Sequence, residues 1–186
     1  FAATGRGLFR STNYGDTWQL LSFPRAGLLA TNRTDDVFAA SYTVFRSSDN
    51  GSTWNPTNTQ WESAQAIAFA VSPTGTIFAS TIGDISPCPC TVGLFRTTDN
   101  GNTWNQIAVD SLAWYINAIG IHPLSGEIYV SSWDKVYRST NEGNSWALVL
   151  SNAPAISAIA VTFTGVVLVA ADSGVVYRSS DHGGTW

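Results

Sequence analysis

The sequence predicts an all-β protein made of repeated four-stranded antiparallel units. Two observations support this fold class: one short pattern with a glycine turn recurs five times, and apolar runs typical of strands lie between its copies. Hydrophobic residues make up 44% of the chain and charged residues only 12%, with 16 Gly, which is typical of a globular β-rich protein. We therefore expect no helix of consequence.

The repeated pattern is an aromatic residue, Arg, two Ser or Thr residues, Asp or Asn, any residue, Gly, any residue, Ser or Thr, and Trp. It ends the stretches GLFRSTNYGDTW, TVFRSSDNGSTW, GLFRTTDNGNTW, KVYRSTNEGNSW and VVYRSSDHGGTW. We call its last eight positions the box, and the five boxes are Ser11–Trp18, Ser47–Trp54, Thr97–Trp104, Ser139–Trp146 and Ser179–Trp186.

The third copy shows what each box is expected to do. Leu94–Thr97 alternates apolar and polar side chains, which predicts a strand with one buried face. Asp99 can accept bonds from backbone N–H groups just ahead of it, and Gly101 supplies a positive φ without steric cost. Trp104 then opens the returning strand and is large enough to pack on a neighbour. The box is therefore predicted to be a β-hairpin turn held by its own side chains.

The residues assigned to this structural role occupy four positions in each box. They are Ser11, Asn13, Gly15 and Trp18; Ser47, Asp49, Gly51 and Trp54; Thr97, Asp99, Gly101 and Trp104; Ser139, Asn141, Gly143 and Trp146; and Ser179, Asp181, Gly183 and Trp186.

The boxes begin 36, 50, 42 and 40 residues apart, a period that matches a four-stranded β-propeller blade. With strands A to D running outward from the axis, the box joins C to D. The innermost strands are predicted from the apolar runs Ala66–Val71, Ile116–Ile121 and Ile156–Val161, and more weakly from Gly27–Thr31. The blades are expected at about 1–22, 27–57, 65–108, 115–150 and 156–186, as one propeller domain or segment with three complete blades and two partial ones.

The box matches the Asp-box, or BNR, motif. The chain resembles the Asp-box β-propeller proteins, which include sialidases, xyloglucan-active endoglucanases, sortilin-type receptors, photosystem-assembly propellers and secreted bacterial repeat proteins. The resemblance covers nearly the whole chain and implies the fold, but it does not imply a chemistry. Asn13 and Asn141 stand where the motif has Asp, which argues against acidic metal or catalytic sites in the boxes. The resemblance also implies a secreted, cell-surface or periplasmic location.

Charge and composition exclude several classes of function. The net charge of −4 offers no basic face for nucleic acid, and no apolar run is long enough to span a membrane. Only Arg6, Arg25 and Arg33 lie outside the repeated pattern, which leaves too few arginines for a sialidase site in this segment. His122 and His182 lie in an A–B turn and in a box, without an arrangement for base or metal work. We therefore predict no cofactor and no metal site.

The spacing of 50 comes from an insertion, Ile82–Val92, in one B–C loop. It contains Cys88 and Cys90, the only cysteines of the chain. A bridge between residues two apart closes a small, strained ring, yet it can form in an exported protein. A local disulfide and free thiols both remain open, whereas two thiolates alone make an incomplete zinc site.

The side chains that do not repeat are the candidates for ligand binding. In a propeller, the A–B turns and boxes share one face, and the B–C and D–A loops share the other. Trp61 and Trp114 fall in D–A loops and Trp133 in a B–C turn, so all three are expected on the second face. Exposed aromatic rings beside polar groups suit a sugar or a protein partner, although these Trp residues could instead cover blade edges. The candidate binding residues are Trp61, Trp114, Tyr115, Trp133, Asp84, Asp134 and Lys135.

Three functions are consistent with these features. The first is a non-enzymatic binding scaffold of an exported protein that presents the Trp-bearing face to a glycan or protein partner. The second is a segment of a glycoside hydrolase resembling the xyloglucan-active endoglucanases, which requires two carboxylates about the scissile bond. The third is an assembly factor for a membrane-protein complex, which favours an Arg-rich patch that this sequence hardly offers. The carboxylates on the second face are Glu62, Asp84, Asp110 and Asp134, but no catalytic residue is assigned among them.

Phe1–Thr4 aligns with Leu168–Ala171, the second strand of a blade, so the chain opens in the middle of a repeat. We therefore expect the chain to be part of a longer protein or of a larger assembly.

Overall fold

The computed structural model describes residues 1–23, 26–59, 61, 64–83, 92–110 and 115–186. Over these residues the chain forms β-strands and connecting turns, without a helix. Accordingly, no described segment is a helix able to cross a membrane. The predictions for Arg25, Glu62, Asp84, Trp114 and the Cys88–Cys90 pair concern residues outside the described ranges.

The described strands form five antiparallel sheets, each with its strands side by side in chain order. We call them blades 1 to 5. Blade 1 contains β1 (Ala2–Thr4), β2 (Gly7–Arg10) and β3 (Gln19–Leu20); blade 2 contains β4 (Leu28–Thr31), β5 (Val37–Ala40), β6 (Val44–Ser47) and β7 (Asn55–Pro56); blade 3 contains β8 (Ala64–Val71), β9 (Ile77–Gly83), β10 (Gly93–Thr97) and β11 (Asn105–Ile107); blade 4 contains β12 (Ala118–Ile121), β13 (Ile128–Ser132), β14 (Lys135–Ser139) and β15 (Ala147–Leu150); blade 5 contains β16 (Ile156–Val161), β17 (Val167–Ala171) and β18 (Val176–Ser179). The predicted fold class, three four-stranded sheets with a partial one at each end, is confirmed.

Successive blades contact one another through their inner strands, in the order β1, β4, β8, β12 and β16. The blades approach closely at Gly120 in β12, where an added Cβ atom would lie 2.6 Å from Ile159 Cγ2 in β16. A larger residue at position 120 would therefore push the two blades apart.

The second strand of each complete blade is the most deeply buried. This differs from the expectation, drawn from the continuous apolar runs, that the innermost strand is buried on both faces. All residues of β5 and β13 are buried, whereas buried and half-buried residues alternate along β12 and only the first residue of β16 is buried. The second strand has hydrogen-bonded neighbours at both edges and a blade on both faces, so no side of it is left to solvent. The inner strand has a hydrogen-bonded neighbour at only one edge.

The box turns are held by a short network of side-chain bonds. In the second box, Ser47 Oγ donates to Asp49 Oδ1 at 2.8 Å and accepts from Gly51 N at 2.7 Å. The Asp49 carboxylate accepts from Thr53 N at 2.8 Å and from Thr53 Oγ1 at 2.6 Å. These bonds satisfy the turn's backbone donors and fix the hairpin between β6 and β7.

Candidate functional site

The most prominent side chain on the second face is Trp133. It is the first of two residues in the turn between β13 and β14, its φ is 56°, and its side chain is 64% exposed. At the first position of a two-residue hairpin, a positive φ is normally supplied by Gly, and for a bulky residue it is strained. Strained backbone positions cluster at ligand-binding sites, so Trp133 is the centre of the candidate site.

Tyr115 lies beside Trp133. Their ring centroids are 5.4 Å apart, with the ring planes inclined at 36°. Tyr115 precedes the buried Ile116, which packs in the apolar cluster between blades 3 and 4 and so anchors the tyrosine at the start of its blade. The two rings form an aromatic wall that opens to solvent.

The floor of the site joins blades 4 and 5. Ile156 N donates to Trp133 O at 2.9 Å, and the Asn117 side-chain amide donates to Ile156 O. Asn117 Oδ1 in turn accepts from Ser131 Oγ at 3.0 Å. These bonds tie the turn that carries Trp133 to the start of β16, so the aromatic wall is fixed relative to the next blade.

The opposite wall comes from blade 5. Tyr115, Asn117 and Trp133 line a cavity of about 380 Å³ together with Ala155, Ile156, Ser157 and Asp172. The backbone of Asp172 donates to Ala155 O at 2.8 Å, which holds this B–C turn against the cavity. The Asp172 side chain is exposed and has no hydrogen bond or ion pair with any described residue. Two aromatic rings and a free carboxylate therefore line one cavity.

The structure brings together only some of the predicted binding residues. Tyr115 and Trp133 line the same cavity. Asp134 does not line it, and its charge acts on the Tyr137 hydroxyl. Burial raises the pKa of Tyr137 to about 12, helped by its hydrogen bond to Asp110 (2.9 Å) and by the charges of Asp110 and Asp134. Lys135 is half-buried at the start of β14 and makes no polar side-chain contact with the described residues.

The expectation that Trp61 is exposed on the second face is wrong. Its side chain is 2% exposed and packs against Phe95 and Trp104, with ring centroids 5.0 and 4.9 Å away. The indole fills the apolar cluster between blades 2 and 3, where it excludes water over its whole surface. For Trp61, the alternative of a tryptophan that covers a blade edge is the one observed.

Sequence reasoning missed Asn117, Ser157 and Asp172. A signal was present: shifting blade 4 by 40 residues aligns the fourth and fifth boxes and places Asn117 on Ser157 and Ser132 on Asp172. The site thus lies where consecutive repeats differ in polar residues at equivalent positions. Differences between copies carry more information about binding than what the copies share.

The two histidines occupy structural positions. His122 Nδ1 accepts from the backbone N–H groups of Leu124 and Ser125 at 3.1 and 3.0 Å. His182 Nδ1 lies 2.8 Å from Glu127 Oε2, and Arg138 pairs with the same carboxylate. Burial raises the pKa of Glu127, but the hydrogen bonds and charges of Arg138 and His182 outweigh it and hold the pKa below its ordinary value. Among the described residues, no three His, Cys, Asp or Glu side chains are grouped so that they could hold a metal ion.

No protein-family model and no curated protein matches the chain. Solved structures do match it. A GH74 enzyme from Niastella koreensis superposes with a TM-score of 0.76 at 17% identity, covering 95% of this chain and 33% of the enzyme. An ancestral GH74 enzyme gives a TM-score of 0.70 at 17% identity, over 94% of this chain and 28% of its own. YCF48 from Cyanidioschyzon merolae gives 0.68 at 16% identity, over 96% of this chain and 64% of its own.

This chain has a β-propeller fold. At these identities the similarity concerns the fold alone, and it is shared by propellers whose functions differ. The propeller arc described here spans 33% and 28% of the two GH74 enzymes. Its function must be argued from its own residues.

Proposed function

We propose that this chain is a non-enzymatic binding module of an exported Asp-box propeller protein, and that it takes up a neutral glycan in the cavity beside Trp133. The observation that carries this proposal is the exposed Trp133, held at positive φ against Tyr115 in a cavity that the free carboxylate of Asp172 also lines. The five boxes and the exported proteins that share this motif support the family and the location outside the cytoplasm.

The chemistry of the cavity suits a sugar. The apolar face of a pyranose ring packs on flat aromatic side chains, and its hydroxyl groups can donate to a carboxylate such as Asp172. A volume of about 380 Å³ is at the lower end of the range for small-molecule sites, which fits one or two sugar units of a longer chain. The lone carboxylate and the net charge of −4 disfavour an acidic glycan.

Calorimetric titration with cellohexaose and a xyloglucan heptasaccharide tests the proposal, with an acidic oligogalacturonide as the ligand control. Trp133→Gly removes the ring and also relieves the positive φ, so weaker binding cannot be ascribed to a strained or unfolded turn. We expect it to raise Kd at least about tenfold, which corresponds to about 1.4 kcal/mol. Asp172→Asn should also weaken binding while leaving the aromatic wall in place.

Tyr42→Ala is the matched control variant. Tyr42 is an exposed aromatic residue in the turn between β5 and β6, so it shares the second face but lies outside the cavity. Equal losses in Tyr42→Ala and Trp133→Gly would contradict a site at Trp133. Binding by neither neutral sugar would favour a protein partner for the same aromatic wall.

A second candidate, a glycoside hydrolase segment, is favoured by one observation. The Tyr137 hydroxyl donates to Asp110 Oδ2 at 2.9 Å, and the charge of Asp134 also raises the pKa of Tyr137, so two carboxylates act on one hydroxyl group. This candidate would be supported if the parent hydrolyses xyloglucan and both Asp110→Asn and Asp134→Asn lose this activity while they still bind the sugar. We favour the binding module because Asp172 lines the aromatic cavity, whereas these two carboxylates do not.

A further inference from the structure

A second cavity lies on the first face of the propeller, where three inner strands end. Its volume is about 260 Å³. The strands β4, β8 and β12 each contribute their last residue, and the A–B turns that follow them supply the rest of the lining. We call it the turn cavity, and its lining residues are Thr31, Asn32 and Arg33 of blade 2, Val71, Ser72 and Pro73 of blade 3, and Ile121 and Pro123 of blade 4.

The turn cavity is built from equivalent positions of three consecutive blades. The last residues of the inner strands pair in one register, Thr31 with Val37, Val71 with Ile77 and Ile121 with Ile128. Two positions after these strand ends, the three turns carry Arg33, Pro73 and Pro123. The cavity therefore receives apolar side chains from blades 3 and 4 and a cationic residue from blade 2.

Among the described residues that line the turn cavity, Arg33 alone is charged. It is exposed, and its side chain makes no hydrogen bond or ion pair with any described residue. Asp35 and Asp36 follow in the same turn, but neither lines the cavity, and the Asp36 carboxylate is already paired with Arg46 at 2.8 Å. The cavity thus combines an apolar lining with a cation that has no described partner.

The turn that carries Arg33 is held in place by its neighbours. Asn32 Oδ1 accepts from Thr34 N at 3.0 Å and from Asp36 N at 2.9 Å. Asn32 Nδ2 donates to Asn100 Oδ1 in the third box at 3.3 Å, which fixes the turn against blade 3. Because the backbone of this turn is ordered in advance, a ligand would not have to order it on binding.

We propose that the turn cavity binds a small organic monocarboxylate with an apolar body, for which phenylacetate is a suitable probe. The apolar body packs against Val71, Ile121 and Pro123. The carboxylate accepts hydrogen bonds from the Arg33 guanidinium, whose planar donors match a carboxylate in geometry. The small volume favours a compact acid over a large ligand.

The same lining disfavours an amino acid. Its ammonium group would enter a cavity whose described lining offers no carboxylate to receive it. The turn cavity lies on the first face and shares no residue with the cavity beside Trp133 on the second face. The proposal therefore does not rest on the glycan site.

Titration of the isotope-labelled 186-residue chain with sodium phenylacetate, followed by amide chemical shifts in NMR spectra, tests the proposal. We expect saturable shifts at the amide signals of Arg33 and Ser72. Phenylacetamide has the same ring without the charge, so it should bind at least about tenfold more weakly, and phenylalanine should also bind more weakly. Signals that do not move with phenylacetate in large excess would overturn the proposal, as would equal affinities for the acid and the amide.

A pair of arginine variants tests the cation. Arg33→Gln should raise the Kd for phenylacetate at least about tenfold, because it removes the charge-assisted hydrogen bonds. Arg6→Gln is the matched control, since Arg6 is also exposed and lies outside the repeated pattern, in the turn between β1 and β2. Its Kd should equal that of the parent. Equal losses in the two variants would show a general charge effect and contradict a site at Arg33.

A second pair tests the apolar lining. Pro123 and Leu124 are adjacent exposed residues of one turn, but only Pro123 lines the cavity. Pro123→Ser should raise the Kd at least about threefold because it removes apolar contact area, whereas Leu124→Ser should bind as the parent does. Melting temperatures confirm the fold of each variant.

Trp133→Gly separates the two cavities. It should keep the parent's affinity for phenylacetate, because Trp133 does not line the turn cavity. A loss of affinity in Trp133→Gly equal to that in Arg33→Gln would place the acid on the second face and overturn the assignment to the turn cavity.

Discussion

At the scale of single residues, the box is a carboxylate site whose charge is used for structure. Hydrogen bonds from Thr53 lower the pKa of Asp49 to about 2, and bonds from Thr103 and Thr185 do the same for Asp99 and Asp181. Each carboxylate is therefore committed to its own turn and is poorly suited to accept a proton in catalysis. That the boxes are not acidic reaction centres, as Asn13 and Asn141 suggest, stays a prediction.

The Asn boxes show how the same turn works without a charge. Asn13 Oδ1 accepts from Ser11 Oγ at 2.9 Å and from Thr17 N at 3.0 Å, as Asp49 does in its own box. The remaining bond reverses direction, because Asn13 Nδ2 donates to Thr17 Oγ1 at 3.0 Å where Asp49 accepts from Thr53 Oγ1. The side-chain hydrogen bonds of these two boxes therefore do not depend on the ionisation of a carboxylate.

The first prediction concerns acid stability. The folded-state pKa of Asp49, Asp99 and Asp181 is about 2, below the ordinary 3.8, so their ionised forms stabilise the fold above that ordinary value. This stabilisation is lost as the pH falls through about 2. The triple variant Asp49→Asn, Asp99→Asn, Asp181→Asn should remain folded at neutral pH and lose less stability on acidification. Melting temperatures from neutral pH to pH 2 check this.

Asp172→Asn is the control for that experiment, since it removes a carboxylate that makes no described turn bond. Its melting curve should keep the acid dependence of the parent. An unchanged acid dependence in the triple variant would mean that the box carboxylates do not control acid unfolding.

At the scale of elements, the sequence predicted the hairpins and the number of complete sheets but not what the boxes touch. Periodic Gly, Asp and Trp positions reveal a local turn because turn chemistry acts over a few residues. The contact of Gly101 with Thr57 joins residues 44 positions apart, and no local pattern encodes it. The burial of the second strands was missed for the same reason, because it depends on the blades on either side.

The second prediction separates the two demands on a box glycine. Gly15 and Gly101 have nearly equal φ values of 98° and 92°, so Ala costs backbone strain of about 1–3 kcal/mol at either position. Only Gly101 also faces another blade, where the new Cβ would lie 2.5 Å from Thr57 Cγ2. Gly101→Ala should therefore destabilise the protein by about 1–3 kcal/mol more than Gly15→Ala.

Urea unfolding of the two variants measures the difference. Equal losses of unfolding free energy would show that the box glycines serve the turn alone and that blade packing adjusts freely around position 101. A larger loss in Gly101→Ala would show that blade contact adds to the requirement for Gly.

At the scale of the whole molecule, the candidate site was predicted in part. Tyr115 and Trp133 were identified as non-repeating aromatic residues, and both line the cavity. Trp61 was identified by the same reasoning and is buried, because a loop position does not determine whether a ring turns outward or into a gap between blades. Asp172 was missed since it comes from the neighbouring blade, and only the assembled arc brings it to the cavity that Trp133 lines.

The last prediction uses this contrast between two tryptophans outside the boxes. Trp61 packs on Phe95 and Trp104 in the cluster that joins blades 2 and 3, so Trp61→Ala leaves a cavity at a blade interface. The expected loss is about 3–5 kcal/mol of unfolding free energy. Trp133→Gly removes an exposed ring and relieves a positive φ, so stability should stay level or rise.

Chemical denaturation of both variants, followed by circular dichroism, checks the pair. Successive blades share clusters across every interface, so loosening one interface should lower the midpoint of a single transition for the whole arc. If the Trp61→Ala variant instead unfolds in two separate steps, blades 1–2 and blades 3–5 are independent units. The proposed glycan site would then depend on blades 4 and 5 alone, because its described residues lie within 115–172.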